Sequence, residues 1–240
     1  MTEPKPRPPA SELPPVLGRV AFLAVVSGLT PLIPVPFLDD YALRQARESM
    51  VLTVLAEHGL PRKPSRAVEF LAGSHVGRTA GGRLLSSLKG LALFPVRKVF
   101  RKVFFVLWVK DCVDVASSAL HHGYLLNHAL ARGDLKAEDM GGPQPQRIHD
   151  AILAACAEVD PRPVNQALRR LFAGSRLLMA EATRAFFSPQ SPGPRTPTPD
   201  ESAEVKTLTE RLIAALWEER GYFVTLQQHY DTHLKARPAA

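Results

Sequence analysis

Phe94-Pro-Val-Arg-Lys-Val-Phe-Arg-Lys-Val-Phe-Phe-Val-Leu-Trp-Val-Lys110 decides how this chain is read. Pro95 stops the segment before it, because proline lacks the backbone donor that a helix interior needs. From Val96 a helical pattern runs to about Arg132, and Gly133, Gly141, Gly142 and Pro143 follow it as a loop. Arg97, Lys98, Arg101 and Lys102 share one side of that helix. Val96, Val99, Phe100, Val103 and Phe104 share the other. A helix of this kind can lie in a lipid headgroup layer, apolar side down and cations against phosphates. The same residues also suit a core helix whose cations are solvated.

Charge sharpens the point. From Phe70 to Lys110 there is no Asp or Glu, yet there are eight cations: Arg78, Arg83, Lys89, Arg97, Lys98, Arg101, Lys102 and Lys110. The 240 residues carry a formal charge of +7 from 30 basic and 23 acidic groups. Without the block, 22 basic residues face 23 acidic ones, so the basicity is local. Arg97, Lys98, Arg101 and Lys102, with Phe100, Phe104 and Trp108, are therefore the candidate lipid- or anion-binding residues. The implied partner is an anionic membrane surface or an acidic protein. Nucleic acid fits the charge, but no helix-turn-helix or other reader motif accompanies it.

Outward from this segment the pattern stays helical. Residues 1–15 carry six prolines and read as a disordered tail. Residues 16–29 read as a short apolar helix. Residues 41–59 show helical spacing in Leu43, Ala46, Met50, Val54 and Leu55, and Asp39 or Asp40 stands ready to cap that helix. Short helices are expected over 66–72 and 83–94, with a glycine-rich stretch between them. Two more are expected over 146–158 and 164–187, broken at Asp160-Pro-Arg-Pro163. A proline-rich linker covers 188–199, and amphipathic helices follow over 200–219 and 222–235. No strand pattern, hairpin signal or internal repeat occurs. The expectation is an all-α chain: one domain of about seven helices over 16–187, with the segment 200–240 packing back onto it.

Val20 to Leu38 is apolar for 19 residues, but Gly28, Pro31, Pro34 and Pro36 interrupt it. It can be a core element, a shallow membrane hairpin or a span. The two cysteines, Cys112 and Cys156, form no disulfide framework or zinc pattern, and a reducing cytoplasm suits them. The expected place is the cytoplasm, peripheral on the inner face of the membrane.

After Lys110 the helix carries Asp111, Asp114, Ser118, His121, His122 and His128 within an arc of about 120°. Asp111, Asp114, His121 and His122 are candidate metal ligands, although the Glu-x-x-His spacing of di-iron helices is absent. A polar, solvated face explains the stripe without a metal. Gly73-Ser-His-Val-Gly77-Arg-Thr79 is a degenerate phosphate loop: its glycines stand one residue too close and Arg78 replaces the lysine. Its glycines suit a turn or a close helix approach.

Leu32-Ile-Pro-Val-Pro-Phe-Leu-Asp-Asp40, and the stretch from Phe94 to Leu126 ending in His-His-Gly-Tyr-Leu-Leu, resemble runs in uncharacterised helical proteins of bacteria. The resemblance implies a helical fold and brings no activity, cofactor or catalytic residue with it. The expected role is non-enzymatic: peripheral membrane association or scaffolding through the basic apolar segment. The alternative is a helical enzyme or a ligand- or metal-binding protein using residues 111–128.

Overall fold

The chain closes around one long helix. The computed structural model describes residues 15–32, 38–61, 65–73, 101–173 and 203–236. Among them are eight α-helices, two short 3-10 turns and no strand. The helices are α1 (Pro15–Leu29), α2 (Leu38–Glu57), α3 (Arg66–Leu71), α4 (Arg101–Ala131), α5 (Gln144–Glu158), α6 (Arg162–Ala173), α7 (Ala203–Glu218) and α8 (Arg220–Ala236). The fold is all-α. The proline-rich tail, the expected helix over 83–94 and the linker over 188–199 lie outside the described residues.

α4 is the axis. Its Cys112, Val113, Ala116, Leu120, Leu125, Leu126 and Ala129 are buried at a spacing of three and four, and α1, α2, α5, α6 and α8 all pack on it. The fullest of these contacts is with α1. Val20, Ala21, Ala24 and Val25 of α1 are wholly buried, so the first part of the apolar run, up to Leu29, is a core element; residues 33–37 of the run lie outside the described residues. No helix among the described residues is long and apolar enough to cross a membrane.

Two glycines allow this packing. A Cβ on Gly28 would stand 2.7 Å from the Ala116 Cβ, 2.8 Å from the Phe172 Cζ and 2.9 Å from the Cys112 carbonyl oxygen. A Cβ on Gly123 would stand 2.5 Å from the Met50 Sδ and 2.7 Å from the Val20 Cγ1. Gly28 thus meets α4 near Cys112 and Val20 meets it near Gly123, so the two helices run antiparallel. The buried hydroxyls on α1 and just after it are satisfied locally. Ser27 donates to the Leu23 carbonyl at 2.7 Å and Thr30 to the Ser27 carbonyl at 2.8 Å.

The boundaries correct several expectations. α2 starts at Leu38, so Asp39 and Asp40 occupy its first turn, where the helix dipole favours acids, rather than the cap before it. α6 starts at Arg162 and is described only to Ala173; the rest of the helix expected to reach 187 lies outside the described residues. Its break from α5 is secured by Asp160, which accepts from the Arg162 amide at 3.1 Å. α7 gives way to α8 at Glu219, close to the expected break.

Candidate functional site

The basic apolar segment enters the described chain only in part. Arg97, Lys98 and Phe100 lie outside the described residues. Arg101, Lys102, Phe104 and Trp108 fall in the first turns of α4, the helix whose later turns form the core axis. Lys110, the last cation of the block, is exposed and paired: its Nζ donates to Asp114 Oδ2 at 2.7 Å. That pair is one helical turn apart and holds the ammonium above its ordinary range, first through the hydrogen bond and then through the Asp114 charge.

The Asp/His stripe is not one solvated face, and here the expectation fails. Asp111, Asp114 and Ser118 are exposed, but His121 is buried and the side chains of His122 and His128 are largely covered. The reason is tertiary: α8 and α5 return over the second half of α4 and cover a face that an isolated helix would leave wet. Each histidine then joins a different neighbourhood, and Asp114 is taken by Lys110. No group of three or more His, Cys, Asp or Glu among the described residues could hold a metal ion.

His121 is fully engaged. Its Nδ1–H donates to the Ser117 carbonyl at 2.6 Å, the turn before it on α4. That fixes Nε2 as an acceptor, and Tyr222 of α8 donates its hydroxyl to it at 2.6 Å. Burial pushes the His121 pKa down to about 4, only partly opposed by the Ser117 carbonyl. Burial likewise pushes the Tyr222 phenol up. This is a neutral, satisfied pair that ties α8 to α4.

His128 joins a charged belt at the far end of α4. Its Nε2 lies 3.0 Å from Asp231 Oδ1, and Arg132 also bridges Asp231. Arg132 Nε lies 3.4 Å from Asp134, whose carboxylate accepts from the Tyr230 hydroxyl at 3.2 Å. Tyr230 is wholly buried, so its ring fills the core while its oxygen reaches the belt. Glu158 of α5 faces His229 at 2.7 Å and His233 at 3.1 Å, which joins α5 to α8.

His122 is different. Its ring packs beside His149 of α5, centroids 5.4 Å apart, and its Nε2 is buried without a hydrogen-bond partner. His149 Nδ1 lies 3.3 Å from the Leu71 carbonyl at the end of α3. Gly73 follows α3 with φ +68, and a Cβ there would stand 2.9 Å from the His149 ring. The glycine thus provides the turn and close approach expected of it. Burial first and His149 second drive the His122 pKa down to about 3; the Leu71 carbonyl opposes this and Arg47 adds to it. Arg47 of α2 is itself partly buried, and that burial lowers its pKa.

These groups line a cavity of about 220 Å³ with Met50, Ala72, Ala119 and Leu153. A second cavity of about 200 Å³ lies between Leu17, Leu120, Trp217 and Phe223 and is almost wholly apolar. The cysteines take no part in either. Burial pushes Cys112 up to about 12 and Cys156 to about 11, which makes both poor nucleophiles.

Sequence reading missed the Arg47–His122–His149 group because its members come from three helices with no local spacing to reveal them. No protein-family model, curated protein or solved structure matches the chain.

Proposed function

We propose that the protein is a non-enzymatic helical adaptor that associates peripherally with an anionic surface through its basic apolar segment, at the inner face of the cytoplasmic membrane. The observation that carries this reading is the charge segregation: eight cations and no acid from Phe70 to Lys110, in a chain otherwise near neutrality. Two structural facts support it. Val20 to Leu29, the described part of the apolar run, packs in the core, which leaves the basic segment as the attachment element of this reading. Arg101 and Lys102 open α4, so whatever holds them acts on the axis of the fold.

Each cation near an anionic surface contributes about 1 kcal/mol. Replacing Arg97, Lys98, Arg101 and Lys102 together by Ala is expected to weaken binding by about 4 kcal/mol, on the order of a thousandfold. Co-sedimentation with neutral and anionic vesicles across a salt series tests this. Binding to anionic vesicles alone, lost at high salt and lost in the fourfold variant, is the expected result. No binding to either vesicle, or binding that the variant keeps, sinks the reading.

A further inference from the structure

The cavity between α2, α4 and α5 holds chemistry that the fold itself does not use. Arg47 brings a guanidinium to a partly buried place, and no carboxylate among the described residues pairs with it. A cation that has lost water and gained no counter-charge is costly. Beside it, the buried Nε2 of His122 has no partner, and such atoms are rare in folded proteins. His149 completes the polar wall, and Met50, Ala119 and Leu153 form the apolar one.

We propose that this cavity binds a small oxyanion, a carboxylate or a phosphoryl group on a compact molecule, clamped by Arg47 with His122 and His149 beside it. This inference does not rest on the membrane reading and uses none of its residues.

Three arguments favour an oxyanion over other occupants. A metal ion would find two imidazoles and a repelling guanidinium, and no third ligand group among the described residues. Water alone would satisfy His122 but leave the Arg47 charge uncompensated. The planar fork of arginine donates two parallel hydrogen bonds to a carboxylate or phosphate, and an anion compensates its charge at the same time. The volume sets the size: about 220 Å³ is below the roughly 300–1,000 Å³ of sites for drug-sized ligands. The guest is therefore small, with a short apolar part for the Met50 and Leu153 side.

Proton linkage follows. The titratable groups facing His122 among the described residues are Arg47 from α2 and His149 from α5; α3 supplies the Leu71 carbonyl. Among the described residues every charge near His122 is like its own. An anion reverses that balance, so the imidazole takes up a proton at Nε2 and the orphaned acceptor becomes a donor. Binding therefore tightens as pH falls toward the range where His122 protonates beside the anion, by up to about tenfold per pH unit.

The test is calorimetric titration of the full chain with sulfate, inorganic phosphate and propionate, each against sodium chloride at matched ionic strength. Sulfate keeps its charge over this range, so its pH dependence reports the protein. The expected result is one saturable site of millimolar affinity or better, with proton uptake seen as a heat that depends on the buffer. Arg47→Met lowers the affinity at least about tenfold. Arg47→Lys lowers it less, because charge remains and the fork is lost. His122→Gln keeps binding but loses its pH dependence. Tighter sulfate and phosphate assign a phosphoryl ligand; tighter propionate assigns a carboxylate. No saturable heat with any of the three overturns the proposal, and so does binding that a folded Arg47→Met or Arg47→Lys variant leaves unchanged.

Discussion

Acid is expected to start destabilising this protein near pH 6.5, above the ordinary carboxylate range. His121 is held neutral down to about 4 and His122 down to about 3, while a histidine in the unfolded chain titrates near 6.5. Below that value the unfolded state binds two protons that the folded state refuses, so stability falls as pH falls. Each histidine costs about 1.4 kcal/mol per pH unit in this window. Two pH units below 6.5 therefore cost about 5 kcal/mol for the pair, against about 5–15 kcal/mol for a typical domain.

Two of the carboxylates give up their stabilisation only below most of this window. Glu158 and Asp160 sit below their ordinary values of 4.5 and 3.8, each held there chiefly by hydrogen bonds. A carboxyl with a depressed pKa gives up its stabilisation at lower pH still. The measurement is the urea midpoint, by circular dichroism, as a function of pH. His122→Leu should flatten the slope by about half, since one of the two linked protons is gone. The double change His121→Leu with Tyr222→Phe, which removes both members of the buried pair, should flatten it by the other half. A midpoint that stays constant from pH 6.5 down by two units contradicts the buried, neutral assignment of both rings.

The second large effect lies where α1 crosses α4. Gly28→Ala places a methyl group against the Ala116 methyl, the Phe172 ring and the Cys112 carbonyl. The ring can shift; the carbonyl cannot, because it belongs to the backbone of the axial helix. Overpacking of this kind costs about 1–3 kcal/mol. Alanine is the better helix former by about 1 kcal/mol, which offsets part of that cost. Gly28→Leu, with three more carbons and no space for them, should abolish cooperative folding. Adding Phe172→Leu to Gly28→Ala should recover part of the loss, because the ring is one of the three obstacles. Thermal melts of the four proteins decide the matter. A Gly28→Leu variant that melts like the parent would show that the two helices do not approach at this point.

Much of the architecture was legible from periodicity. Leu43, Ala46, Met50, Val54 and Leu55 announced α2, and the glycines after Arg132 announced the end of α4. Val20 to Leu29 was legible as a helix, with a core element as one of three readings left open, because hydropathy alone does not say what apolar residues touch. The stripe from Asp111 to His128 shows the same limit from the other side. A helical projection correctly groups residues on one face, but it cannot show which part another helix covers. Asp114 stayed exposed and His121 did not, and the difference is Tyr222, 101 residues further along. The grouping of His122 with Arg47 and His149 was invisible for the same reason. Their meeting depends on the angles at which α2, α4 and α5 pack, and no short spacing encodes those.

That separation of 101 residues between His121 and Tyr222 also has a meaning in time. Chains grow at roughly 5–20 residues per second, so α4 leaves synthesis about 5–20 s before the helix that seals it. Throughout that interval the imidazole of His121 is wet, its charge is free to follow the pH of its surroundings, and the apolar side of α4 has no α8 to cover it. The nascent chain thus carries the His121 end of that face uncovered until α8 emerges.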